Sequence, residues 1–151
     1  MVRGHFALVL SLAVVMAGAC SPFGSDQLEL TVTVVQPFLA PDDPAIFEVT
    51  AVNRGIGRVT WGPGSSTCQL HLLVRVDEED VGAAVDRACS LLPVTHSLDP
   101  GQARSEIIPW EGRILSSTGI VALEPGVYEV RAVARPVATS DPVSITVVDS
   151  L

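Results

Sequence analysis

Three cysteines and three histidines are the residues best placed to do chemistry in this 151-residue chain. Cys68, His71, Cys89 and His96 have a spacing loosely compatible with a zinc-ligand set. On a strand, however, residues three apart point to opposite faces, so one ion does not easily take both Cys68 and His71. Ser90, His96 and Asp99 supply the residue types of a nucleophilic triad, but closeness in sequence is not triad geometry. The acidic run Asp77-Glu78-Glu79-Asp80 lacks the EF-hand spacing for calcium and reads as a solvated hairpin tip. No G-x-S-x-G elbow, P-loop, H-E-x-x-H or paired CxxC occurs. The residues therefore imply no catalytic site, no metal and no cofactor, and a chain that is not an enzyme.

Cys20 stands apart from these. Before it, Met1 to Ala19 has the layout of a secretory leader. Arg3 makes a short positive region, and Phe6 to Gly18 is an apolar run of about 13 residues, too short to span a membrane comfortably. Ala17, Gly18 and Ala19 then lead directly into Cys20. This resembles the lipobox of bacterial lipoproteins, with Ala17 where leucine is usual. The resemblance implies diacylglycerol on Cys20 as the mature N-terminus and a lipid anchor in the cell envelope, in the cell membrane or the outer membrane. Residues 1–19 are then the signal peptide, and 20–27 are the lipidated cysteine and tether. Residues 28–150 are the domain. The seven tether residues Ser21 to Gln27 reach at most about 25 Å, which holds the domain near the membrane.

Lipidation of Cys20 leaves Cys68 and Cys89, and an even remainder in an exported protein suggests a disulfide. The two are symmetric about Glu78-Glu79, so a hairpin centred there sets them opposite each other. In that register Leu70, Leu72, Val74 and Val76 face Arg87, Val85, Ala83 and Val81, all but one of them apolar. His71 then lies opposite Asp86 on the outer face. Closing a loop of about 21 residues stabilises a fold by roughly 3 kcal/mol in the chain-entropy model.

The charge balance narrows the partners. Nine basic residues, all arginine, stand against seventeen acidic ones, for a net charge of −8. Such a chain does not bind nucleic acid by charge. The expected partners are the membrane, through lipid, and a protein.

The elements that must position these residues read as strands. Leu28, Leu30, Val32 and Val34 alternate with polar residues, and Ala45 to Asn53 repeats the pattern with Phe47, Val49 and Ala51 on one face. Asn53 to Gly57 is a turn, Arg58 to Trp61 a short strand, and Gly62 to Thr67 a loop. Cys68 to Val76, Ala103 to Ile108, Gly126 to Val137 and Val143 to Val148 follow as strands. Asp80 to Leu92 also fits a helical period, but Gly82 favours a strand or irregular return. Trp61 and Trp110 are expected to cap the ends of a core. The sum is an all-β, antiparallel, immunoglobulin-like sandwich of seven to eight strands.

The second half carries a more specific grammar. Leu98-Asp99-Pro100-Gly101 is followed by a strand and by Trp110-Glu111-Gly112. Gly119 and Leu123-Glu124-Pro125-Gly126-Val127-Tyr128 come next. This resembles the BsuPI domain family, named for a bacterial intracellular proteinase inhibitor, over residues 28 to 148 and most specifically over 98 to 130. Both Pro-Gly steps are expected in tight turns. Tyr128 stands where a tyrosine corner would be, with its hydroxyl tied to nearby backbone. The resemblance implies either a non-catalytic binding module or a proteinase inhibitor. For inhibition, the loop Glu111 to Thr118 is the candidate, with Arg113-Ile114 offered to a trypsin-like protease.

Overall fold

A computed structural model describes residues 27–39, 43–65, 70–85 and 94–148. Cys20, Cys68 and Cys89 lie outside these residues, as do Ser90 and Asp86. In chain order the strands begin with β1 (Leu28–Gln36), β2 (Phe38–Leu39), β3 (Ala45–Asn53) and β4 (Val59–Ser65). Next are β5 (His71–Val76), β6 (Glu79–Gly82), β7 (Val94–Leu98) and β8 (Ala103–Trp110). The remainder are β9 (Arg113–Ser116), β10 (Gly119–Ala122), β11 (Gly126–Ala134), β12 (Ala138–Thr139) and β13 (Val143–Val147). The surplus over the expected seven or eight consists of short pieces: β2, β6, β7, β9, β10 and β12.

The fold is an all-β sandwich. One sheet has the order β1-β3-β8, and the other runs β2-β13-β11-β5-β6, with β12 on β11. Read as A-B-E against G-F-C-C′, this is the strand order of an immunoglobulin-like sandwich. The pairs β4–β7 and β9–β10 form two small additional ladders. Period-two burial explains the long strands. In β3, Ala45, Phe47, Val49, Ala51 and Asn53 are buried and the residues between them are half-buried. They pack with Leu72 and Val74 of β5, Val130 and Ala132 of β11, and Ile145 of β13 in one core. Phe47 and Trp110 bring their rings to 6.1 Å, tilted by 55°. Trp61 and Trp110 are both buried, as expected.

The β5–β6 hairpin corrects the expected register. Leu73 pairs Gly82 and Val74 pairs Val81, so the turn is Asp77-Glu78 and not Glu78-Glu79. Both turn residues have positive φ, 48° and 69°. A two-residue turn of this hand matches the twist of the flanking strands, which explains why it wins. The shift in pairing is two residues, an even number, so the apolar face stays inward. The opposition of Cys68 to Cys89 rested on the other register and does not follow from this one. Ala83 bridges Ile114, which rules out the helical alternative for the described start of this return.

One side chain ties the end of the first sheet together. Asn53 is fully buried, and its Nδ2 donates to Gly57 O at 2.7 Å and to Leu98 O at 2.9 Å. Its Oδ1 accepts the Gly55 N–H at 2.9 Å. Its backbone N–H donates to Gln102 O and its carbonyl accepts the Gly101 N–H. Between these, Asp99-Pro100-Gly101-Gln102 closes a type II turn: Gln102 N–H reaches Asp99 O at 3.0 Å and Gly101 has φ of 77°. Arg58 and Asp99 meet over this turn at 2.7 Å, and that hydrogen bond, then the attraction of the carboxylate, raises the guanidinium above its ordinary pKa.

The other Pro-Gly step behaves differently. Gly126 opens β11 without a positive φ, so Pro125-Gly126 is not the tight turn expected of it. The Tyr128 ring lies over Gly126, and its hydroxyl donates to Glu124 O at 2.8 Å. That is the expected tyrosine corner. Gly112 is where glycine is required. It has φ of 72°, and an added Cβ would overlap Leu39 Cδ2.

Two outcomes follow for stability. Asn53→Ala removes the partner of the buried Leu98 carbonyl and of the part-buried Gly57 carbonyl and Gly55 N–H, and is expected to cost about 2–3 kcal/mol. Asn53→Asp is expected to rescue little, because a carboxylate cannot donate to Gly57 or Leu98; denaturant midpoints check both. Gly112→Ala combines a left-handed backbone with a clash and is expected to lower stability by about 1–3 kcal/mol, read from the same unfolding curves.

Candidate functional site

The described residues that suggested chemistry are held apart or already engaged, while Cys20, Cys68, Cys89 and Ser90 lie outside the described residues. His71 is exposed on β5 and stands across from Val133 of β11. His96 is buried on β7 opposite Trp61, with ring centroids 6.0 Å apart. Asp99 is bonded to Arg58 in its turn. Asp77 and Glu78 form the hairpin turn, and Asp80 lies between Arg75 and Arg131 at 3.7 and 4.0 Å. Among the described residues, no group of three or more His, Cys, Asp or Glu is placed to hold a metal ion.

Arg113 and Ile114 are not in a loop. They begin β9, a strand paired with β10. Ile114 is 7% exposed, packed in the core. The carbonyl of Arg113 accepts both the Ala84 N–H and the Trp110 Nε1–H, each at 2.7 Å. The Arg113 guanidinium is paired with Glu111. A protease inhibitor must present an accessible peptide carbonyl with its flanking side chains. Here that carbonyl is occupied twice and the next side chain is inside. The expected loop is thus a paired strand from Arg113 to Ser116.

The same interactions build a different feature. Trp110 is buried beside Phe47, and Gly112 turns the chain sharply over Leu39. The indole N–H on Arg113 O then sets where β9 departs. Ser116 closes the hairpin tip, with its hydroxyl near Thr118 Oγ1 at 2.9 Å and Gly119 O at 3.0 Å. One face of the hairpin is inward, through Ile114. The other carries the cross-strand pair Leu115 and Ile120, which are 54% and 61% exposed. With Ala83, Ala84, Val85 and Arg113 these two residues line an open groove of about 390 Å³. Leu115 also lies 3.4 Å from where a Cβ on Gly82 would sit, so it leans on the edge of the larger sheet.

Sequence reasoning read this hairpin as a loop. The available signal was the pair of apolar dipeptides, Ile114-Leu115 and Ile120-Val121, flanking Ser116-Ser117-Thr118-Gly119. From Ile114 to Leu123 there is no charged residue, in a chain whose net charge is −8. The β10 side chains are all exposed. The hairpin and groove are thus an exposed apolar feature on an uncharged segment of an acidic chain.

No protein-family model matches the chain, and no curated protein sequence matches it. Solved structures do resemble it in shape. The β-glucosidase EmGH1 from Erythrobacter marinus superposes with a TM-score of 0.50 at 15% identity, over 80% of this chain and 15% of that enzyme. A β-glucosidase from Listeria innocua gives 0.48 at 14% identity, over 82% of this chain and 16% of that one. The CARDB domain of the PF1109 protein from Pyrococcus furiosus, solved with di-metal ions, gives 0.42 at 14%, covering 80% and 87%. The chain spans less than a fifth of the length of either glucosidase. At these identities the likeness is one of fold.

Proposed function

We propose that this protein is a non-catalytic interaction module, tethered to a membrane through Cys20, whose contact surface is the β9–β10 hairpin and its groove. The observation that carries the reading is the exposed Leu115–Ile120 pair beside an apolar groove, on an uncharged segment of an acidic chain. Exposed apolar features of this kind, ringed by polar surface, are where protein partners bind. The BsuPI-like grammar is consistent with this role. Its turn at Pro100-Gly101, its Trp110-Glu111-Gly112 step and its Tyr128 each serve the fold, and none offers a reactive group. The alternative, a proteinase inhibitor of the BsuPI type, would have to present a segment other than Arg113-Ile114, which lie in a paired strand.

A photo-reactive amino acid placed at position 120 in producing cells is expected to capture a protein adduct. Placed at position 56, where Ile56 is 98% exposed on a separate turn, it is expected to capture none. Equal capture at both positions, or none at position 120, removes the hairpin as the contact surface. The anchor has its own test. Cys20→Ser is expected to lose the lipid and normal processing of the leader, and a variant that stays membrane-bound and is normally processed sinks the anchor.

A further inference from the structure

We propose that β10 is a pairing edge for a second copy of this chain, joined β10 to β10 in antiparallel register about a two-fold axis. The idea rests on the hairpin being a contact surface and names what it contacts. The argument begins with the hydrogen bonds. Leu123 N–H donates to Gly112 O at 2.8 Å. Bonded and non-bonded pairs alternate along an antiparallel ladder. With Val121 opposite Ile114 and Ile120 opposite Leu115, Val121 then bonds to β9 while Ile120 and Ala122 do not. Their N–H and C=O groups face away from β9. The opposite edge of β9 is closed, because Arg113 O takes the Ala84 N–H and Ile114 bridges Ala83. Among the described residues nothing pairs with the outer edge of β10.

Both outer edges of the β1-β3-β8 sheet are guarded. The outer edge strand β8 carries Arg104, Glu106 and Pro109. The outer edge strand β1 carries Glu29 and a bulge between Val34 and Gln36. Charges, prolines and bulges are the devices that keep strand edges from joining. The sequence Gly119-Ile120-Val121-Ala122 has none of them.

The edge is also complementary to itself. Setting Ile120 opposite Ala122 of the second copy exchanges both free backbone pairs, twice over, by symmetry. The large side chain then meets the small one on the groove face. Val121 meets Val121 of the second copy on the axis. No charged residue lies between Ile114 and Leu123, so two acidic chains join here without opposing like charges. A four-residue edge buries far less than the ~800 Å² per partner of a stable complex, so the association is weak and is best read by covalent trapping.

The test uses the full chain in detergent-solubilised membranes, mildly oxidised and run without reductant. A non-bonded antiparallel pair places its Cα atoms about 4.5 Å apart, within reach of a disulfide. Val121→Cys is expected to give a dimer band, with a peptide linking position 121 to itself. Adding Ile120→Lys is expected to abolish it, and Ile56→Cys is the exposed control. Tryptophan fluorescence, reporting buried Trp61 and Trp110, verifies that each variant is folded. A folded Val121→Cys chain that dimerises no more than Ile56→Cys overturns the proposal. If position 120 then still captures another protein in cells, only self-pairing is lost; if it captures nothing, the contact-surface reading falls as well.

Discussion

The buried amide of Asn53 is the interaction on which the placement of everything downstream depends. It sits at the end of β3, the central strand of its sheet, and satisfies the carbonyls of Gly57 and Leu98 and the N–H of Gly55. A side chain with one acceptor and two donors is needed there, and both kinds of partner are backbone. Its own backbone is bonded to the Gly101 turn. That turn starts β8 in register, with Ala103 against Val52 and Trp110 against Ala45 at the other end of the strand pair. Trp110 then bonds Arg113 O and sets the departure of β9. The hairpin is therefore a rigid consequence of a polar knot at the far end of the same strand pair. Loss of that knot would propagate along β8 as a register problem, not as a local loosening.

Much of this was legible in the sequence, and the reasons it was or was not are physical. β3 spans Ala45–Asn53 as read, because alternation with one face buried leaves a strong period of two. Tyr128 was legible because a tyrosine two residues past a Pro-Gly step has few other uses in a sandwich. The β5–β6 turn was read one residue late because Asp77-Glu78 lacks the Asn-Gly or Asp-Gly signature of a two-residue turn, although both residues adopt positive φ. β7 was overlooked because its inward positions include His96, which breaks the apolar alternation. The hairpin was overlooked because an exposed strand has no buried face to set a period, and β10 is exposed throughout. Asn53 looked like an ordinary turn residue; nothing local reveals that its side chain also bonds Leu98 and its backbone the Gly101 turn.

The two small ladders show how a short chain varies an immunoglobulin-like frame without disturbing its core. β4–β7 places Trp61 and His96 face to face and ends at Leu98, one of the Asn53 acceptors. That ladder is tied into the frame by burial. β9–β10 is tied in by the buried Ile114 and its bridge to Ala83, by Leu115 against Gly82, and by two hydrogen bonds to Arg113 O. Its outer strand contributes almost nothing to the core. It leaves Ile120 and Val121 exposed beside Leu115 of β9.

Charge placement points the same way. Six arginines are paired with carboxylates: Arg54 with Glu29, Arg58 with Asp99, Arg75 and Arg131 with Asp80, Arg104 with Glu106, and Arg113 with Glu111. Most of these pairs are exposed, and exposed pairs contribute little to stability. Their larger effect is to consume positive charge, leaving the surplus acids to define the long-range field. That field repels polyanions and anionic surfaces. Any partner that is not strongly basic must therefore approach where acids are absent. Between Ile114 and Leu123 the chain supplies such a place, and Trp110, Gly112 and Asn53 fix where it points.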